Sequence, residues 1–288
     1  MKRTLIDLRS RLFEIPPKEG WAGSRSEETQ MYYTDSLLNV LGRTKDIREI
    51  TVGDISDLKS ALLKSGNSPA TVNRKLMSLS KMLGYALNME WIDKKPLITK
   101  LREDNQIVVW FREEEKTQLF QAFRDLGYPE MELLTKFLLN TGFRIREALS
   151  LEWENCSDDV ITLWDTKSGV PRSVPKTKTV RKILEELSHK EGGPFLDMTY
   201  GLVRYRWDKA RKMIGKEGAK GWTLHGCRHT FCSNLVQRGT QIQVVGQLAG
   251  HGKDLAMTMR YAHLDPNTLS RAIRVLDDAP QKQPKKNL

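Results

Sequence analysis

The sequence predicts a mainly α-helical chain with one small antiparallel sheet, divided into two units. Apolar residues recur at three- and four-residue spacing from about residue 26 to 92, and again after residue 111. One segment, VITLWDTKSGVPRSVP (160–175), instead alternates on either side of a Ser-Gly turn, the pattern of a hairpin. Between the two helical stretches, DKKPLITKLREDNQ breaks the periodicity with charge and a proline and marks a boundary.

The first 24 residues run into PPKEGWAGSRSEE, rich in turn formers, and read as a short arm with MKRTLIDLRSR as its basic part. A helical domain follows over residues 25–100. SEETQMYYTDSLLNVLG opens on a Ser-x-x-Glu-like cap and stops at Gly42, and TVGDISDLKSALLKSG stops at Gly66. SPATVNRKLMSLSKMLGYALNMEWI begins with Ser68 as a cap and Pro69 in the first turn. Its Val72, Leu76, Leu79, Leu83 and Ala86 form one apolar face. Asn73, Arg74 and Lys81 fall off that stripe, either as a solvated face or as the side that grips DNA. A linker at 101–106 leads into a mixed α/β domain over 107–278. It comprises the helices FREEEKTQLFQAFRDLG and MELLTKFLLNTG, the hairpin, and helices from TVRKILEELSHK onward. The tail 279–288, APQKQPKKNL, is too rich in Pro and Lys to pack.

A net charge of +11, shared by both halves, points to a polyanionic partner. Cys156, Cys227 and Cys232 form no disulfide framework, which fits reduced thiols in a cytoplasm. The N-terminus is too polar for a signal peptide, and no apolar run is long enough to span a bilayer. A membrane partner is therefore not expected.

Several segments carry polar groups where a plain core would not ask for them. In TGFRIREALSLEW, Arg144 stands between two apolar helices, either as a salt-bridge partner or as a planar fork for phosphate. Lys167 lies at the hairpin turn, where a lysine is ordinarily solvated. In WTLHGCRHTFCSNLVQRG, His225, Arg228 and His229 share one turn at a helix start, a place that favours an anion. His225, His229 and Cys232 stand at i, i+4 and i+7 and could ligate zinc. Against that, no second cluster closes the site and Arg228 would repel the cation. In LAGHGKDLAMTMRYAH, His251 and Tyr261 stand ten residues apart, and Tyr261 alone reads as a core aromatic as readily as a nucleophile.

Together these motifs carry a resemblance. HGCRH, then LAGH, then MRYAH resembles the C-terminal signature of the tyrosine recombinases, the phage integrase family. TGFRIREALSLEW is similar to that family's first arginine motif, including Glu147. TKSGVPRSVP is similar to its lysine-bearing hairpin, and SPATVNRKLMSLSKMLGYALNMEWI to the last helices of its core-binding domain. The likeness spans roughly residues 25 to 275, and the hairpin and MTMRYAHL look more like phage and prophage integrases than chromosome-dimer resolvases.

The resemblance implies a C-shaped DNA clamp made of a helical core-binding domain and a catalytic domain. It implies catalytic roles for Arg144, Lys167, His225, Arg228, His251 and Tyr261. The arginines would hold the non-bridging phosphate oxygens and stabilise the transition state. Tyr261 would attack to give a 3′-phosphotyrosine, with His225 as its acid–base group and Lys167 protonating the 5′-oxygen. His251 would hydrogen-bond the phosphate, while Glu147 and His229 would support the site. No metal, ATP or other cofactor is implied. The implied partners are double-stranded DNA at attachment-type sites, further copies in a tetramer, and a directionality factor or host DNA-bending protein. The tetramer would be joined through NTLSRAIRVLDD, whose Leu269, Ile273 and Leu276 form an apolar edge. The setting implied is the nucleoid of a bacterial host. The rivals are a chromosome-dimer-resolving recombinase, a type IB topoisomerase-like enzyme, and a DNA-binding module without catalysis.

Overall fold

The computed structural model describes residues 3–103, 109–164, 171–251 and 256–262. Two compact units divide the chain, Met1–Asn105 and Gln106–Leu288. Lys167, the segment NTLSRAIRVLDD and the tail 279–288 lie outside the described residues.

Four helices build the first unit: α1 (Leu5–Glu14), α2 (Glu27–Leu41), α3 (Val52–Lys64) and α4 (Pro69–Asn88). The expected free arm is instead a wall of this unit. Thr4 and Asp7 form a reciprocal capping box that starts α1. Its Leu5, Leu8 and Leu12, at three- and four-residue spacing, are fully buried with Leu37, Leu58 and Leu79. Backbone bonds from Leu5 and Ile6 to the carbonyls of Lys45 and Arg43 fasten the helix. A three-leucine stripe has no stable place in water, and its burial outweighs the local turn formers and charge.

In α2 the Ser26 side chain makes no cap bond; the Glu27 carboxylate accepts from the Gly23 N–H instead. In α4 the Ser68 hydroxyl accepts the Thr71 N–H, with Pro69 in the first turn. The apolar face from Val72 to Ala86 is buried as its spacing predicts. α4 is also covered beyond that face, which changes the reading of its polar residues. Asn73 is buried, its amide donating to the Leu101 carbonyl at 2.9 Å and to Glu103 at 2.6 Å. Lys81 donates to the Gly20 and Pro17 carbonyls and lies 5.3 Å from the Trp21 ring centroid. Both side chains are engaged by the unit's own loops; Arg74 alone of the three is exposed. Lys75 is buried too, donating to Ser36 at 2.7 Å and Asn67 at 3.0 Å.

The second unit places α6 (Pro129–Thr141) against α5 (Glu113–Asp125), α8 (Lys178–Glu186), α9 (Tyr200–Met213) and α10 (Leu224–Gln237). Phe111, Phe123, Phe137, Phe143, Trp207 and Trp222 fill the space between them. Strands β1 (Val160–Leu163) and β2 (Arg172–Pro175) pair antiparallel, with Ile161 opposite Val174 and Leu163 opposite Arg172. The short helix α7 (Ile145–Leu149) follows α6 directly, and α11 (Ile242–Ala249) and α12 (Ala256–Met259) complete the described chain. A smaller core of Phe231, Cys232, Val236, Val245, Ala249 and Tyr261 lies where α10 meets α11. No helix among the described residues is long and apolar enough to cross a membrane.

If α1 is structural, Leu8→Ala removes a fully buried side chain and destabilises the first unit by about 2–5 kcal/mol. Urea unfolding followed by circular dichroism measures this. No change in the unfolding midpoint would mean that α1 is not part of the packed unit.

Candidate active site

The site is assembled where α6 ends. Gly142 stops that helix in the left-handed region, at φ 65°, and a Cβ there would strike the Phe231 ring at 2.4 Å. The sharp stop leaves Arg144 in extended backbone as the cap of α7. Its N–H donates to Glu147 Oε2 at 2.7 Å, its Nη1 to Glu147 Oε1 at 2.7 Å, and its Nη2 to the Gly250 carbonyl at 3.2 Å.

The Glu147 carboxylate also accepts from Arg172 of β2, at 2.8 and 3.3 Å. Burial alone would raise its pKa. The Arg172 charge, the Arg144 N–H and the two guanidinium bonds outweigh burial and hold the carboxyl below the usual carboxylate range. Arg172 was not singled out in the sequence, although its strand register carries the signal. Directly opposed residues share a face, so pairing with the inward Leu163 turns Arg172 inward as well. It lies over the Phe143 ring and against Gly250, where a Cβ would meet its Nη1 at 2.2 Å.

Arg228, on α10, is 2% exposed. Its Nη1 donates to the Gly142 carbonyl at 2.7 Å, while Nη2 is buried without a hydrogen-bond partner among the described residues. Burial, then the Arg144 charge, pushes its pKa down to about 10, so it remains cationic at neutral pH. A buried guanidinium donor without an acceptor suits an arriving anion.

Tyr261 is 1% exposed, and its oxygen lies 2.5 Å from His229 Nδ1. Burial, then the neighbouring Cys232 thiol, pushes the phenol's pKa well above its ordinary value, against the opposing pull of Arg260 and Arg228. The histidine that meets the phenol is therefore His229. The resemblance gives that place to His225, one helical turn earlier on the same face. His225 packs at 90° or so against His229, with ring centroids 4.8 Å apart. Lost hydration on its packed side lowers its pKa, helped by Arg228, Arg144 and Arg260, although the residue remains exposed at the surface.

His251 is 8% exposed, and its N–H donates to the Gly246 carbonyl at 2.9 Å. Its Nδ1 lies 2.8 Å from the hydroxyl of the buried Thr258, and its ring is parallel to Tyr261 at 6.5 Å. The Met-Thr-Met-Arg run thus anchors the segment that carries the tyrosine. Burial and the arginine charges hold the His251 pKa near 3, and burial, His225, Arg260 and Arg228 hold that of His229 near 4. Both imidazoles are neutral at pH 7.

Beside Arg144 and His225 opens a cleft of about 610 Å³, also lined by Arg146, Tyr200, Arg204 and Arg211. Positive charge along such a cleft suits a nucleic-acid backbone. Among the described residues no three His, Cys, Asp or Glu side chains gather as a metal site, His225, His229 and Cys232 included.

The site thus brings buried arginines, neutral histidines and one buried tyrosine hydroxyl into a single cluster. The model of the phage integrase family matches residues 109–268, and the chain belongs to that family. The integrase of Escherichia phage 186 is 30% identical over 211 residues, covering 72% of this chain and 60% of the relative. The chain thus spans less than two thirds of that relative's length. The Tn1549 transposon integrase in complex with circular intermediate DNA has a similar fold, with TM-score 0.76 and 18% identity, over 94% of this chain and 99% of that one. A lambda integrase tetramer bound to a Holliday junction matches with TM-score 0.69 and 16% identity, over 88% of this chain and 78% of that one.

The Glu147 hub makes stability depend on pH with a definite sign. A carboxyl whose folded pKa is depressed adds stability above its unfolded value of about 4.3 and loses it as pH falls through the folded value. Glu147→Gln should cost on the order of 3 kcal/mol at pH 7 and flatten the acid loss below about pH 4. Denaturant melts of the second unit between pH 3 and 7 check this; an unchanged acid limb would place the pH dependence elsewhere.

Proposed function

We propose that the chain is a site-specific DNA recombinase that integrates or excises a phage or other mobile element. It would cleave and rejoin strands through a 3′-phosphotyrosine on Tyr261. The observation that carries this reading is the buried Nη2 of Arg228, which has no hydrogen-bond partner among the described residues and lies in electrostatic reach of Arg144 and Tyr261. Arg144 and Arg228 would hold the two non-bridging oxygens of the scissile phosphate. Each such donor is worth about 3 kcal/mol in the transition state. His251 and His225 would add hydrogen bonds to the phosphate, and Lys167 would protonate the departing 5′-oxygen. Glu147 would fix Arg144.

Two arginines that are cationic at neutral pH would offset the phosphate charge, so the reaction would need no metal. The phosphotyrosine conserves the energy of the broken bond, so it would need no ATP. Duplex DNA would lie along the basic cleft, with Arg146 and Arg204 on flanking phosphates. A tetramer is the assembly this chemistry calls for, since two duplexes exchange strands; the lambda integrase tetramer on a Holliday junction supports it by analogy. The family resemblance extends the reading to a bacterial nucleoid setting and to a directionality or DNA-bending factor.

Footprinting DNA that flanks the gene would locate the target, which is then made as a nicked duplex whose cleavage cannot reverse. In EDTA and without ATP, the protein should form a covalent adduct stable to denaturing electrophoresis, and Tyr261→Phe should lower it to background. An adduct that survives this change would remove Tyr261 as the nucleophile. Relaxation of supercoiled plasmid lacking the site would instead favour a topoisomerase-like activity.

A further inference from the structure

We propose that His229 is a catalytic residue that takes the phenolic proton of Tyr261 during strand cleavage and returns it during rejoining. The inference rests on Tyr261 being the nucleophile and adds what becomes of its proton.

The geometry is direct. His229 Nδ1 lies 2.5 Å from the Tyr261 oxygen, within the reach that a general base needs. His225 contacts the His229 ring, while His251 is engaged through Nδ1 with Thr258 and meets Tyr261 only by parallel stacking. Among the described histidines, His229 is the one hydrogen-bonded to the reacting oxygen. The proposal requires the tautomer protonated at Nε2, in which Nδ1 accepts the phenol O–H.

The step balances without a further reagent. The Tyr261 oxygen bonds to phosphorus as the bond from phosphorus to the 5′-oxygen breaks. The phenolic proton passes to His229 Nδ1 and makes an imidazolium. The 5′-oxygen leaves and is protonated by the general acid, on the proposed reading Lys167. In rejoining, the 5′-oxygen bonds to phosphorus and its hydroxyl proton returns to the deprotonated general acid, while the bond from phosphorus to the tyrosine oxygen breaks and the imidazolium gives that oxygen its proton.

The surroundings also explain why the pair would be idle until substrate arrives. On its own helix His229 faces His225 and Arg228; from the segment after α12 it faces Arg260 and Tyr261, and Cys232 borders the phenol. Burial and this positive field keep His229 a weak base, with a pKa of about 4, while burial keeps the phenol protonated. A phosphodiester seated on Arg144 and Arg228 would offset that field, raising the proton affinity of His229 as the nucleophile is needed. Substrate charge would thus switch on the base.

The test is single-turnover cleavage of the nicked duplex by the full-length protein between pH 5.5 and 9. Wild type should be nearly flat from neutral pH upward and lose rate only at the acid end, where the His229 imidazole, made more basic by the bound phosphate, takes up a proton. His229→Ala should be slower by about 100-fold at pH 7, the lower end of general-base effects. Its rate should climb about tenfold per pH unit, because the phenol must then ionise unaided. His229→Asn keeps a hydrogen-bond acceptor near the Nδ1 position but no basicity, and should be as slow as His229→Ala. Incorporating 3-fluorotyrosine, a more acidic phenol, at position 261 should recover much of the loss in His229→Ala. A substrate with sulfur in place of the bridging 5′-oxygen, which needs no acid to leave, should leave the His229 defect in place.

Wild-type rates in His229→Asn, or a His229→Ala defect that neither varies with pH nor responds to the fluorinated phenol, would overturn the proposal and leave His229 only a positioning role. An adduct retained by Tyr261→Phe, or none formed by wild type, would defeat the underlying recombinase reading instead, and the inference with it.

Discussion

One buried carboxylate holds the site together. Glu147 accepts from Arg144 on one side and Arg172 on the other, and so ties the start of α7 to strand β2. Through these two arginines it also reaches the turn before His251, since the Gly250 carbonyl accepts from Arg144 and the Gly250 Cα lies against Arg172. Segments more than a hundred residues apart in sequence are thereby brought into register around one group. Three cations and few anions crowd this region, and their mutual repulsion would splay it without Glu147. The Arg144 guanidinium, held by Glu147 through Nη1 and by the Gly250 carbonyl through Nη2, has little freedom to turn, which is the pre-organisation that the proposed transition-state role needs.

A second constraint acts on the proposed nucleophile. Tyr261 packs among Phe231, Val236 and Val245, in the manner of an ordinary core aromatic, yet its oxygen is directed at His229. The His251–Thr258 bond and the close fit of Gly246 to Thr258 place the short helix α12, and with it the phenol. Burial and reactivity are at odds here: burial raises the phenol's pKa and suppresses ionisation. The proposed reaction therefore depends on charge brought by the phosphate and on the histidine beside the phenol, not on a tyrosine activated in advance.

Much of this was legible in the sequence because it is local. The stripe on α4, the hairpin and the glycine stop before Arg144 each follow from spacing within one element. What was missed depends on partners far along the chain. Asn73 looked solvent-facing because Leu101 and Glu103 lie 28 and 30 residues away, and Lys81 because the Gly20 carbonyl lies 61 residues back. The leucines of α1 were obscured by the turn formers that follow them, although their spacing was present. His225 and His229 occupy one face of α10, and only the path of the chain from His251 to Tyr261 decides which of them meets the phenol. Arg172 needed the hairpin register to show that it points inward.

In the proposed reaction Arg144 and Arg228 act on the charge of the scissile phosphate while Tyr261 attacks it. The most direct measurement compares cleavage of a native nicked duplex with one carrying a single uncharged methylphosphonate at the scissile position, using wild type and Arg144→Ala. On the native diester the substitution should slow cleavage by roughly a hundredfold. On the neutral linkage, where there is less charge to stabilise, most of that penalty should disappear. An equal loss on both substrates would contradict the account and reduce Arg144 to a structural partner of Glu147.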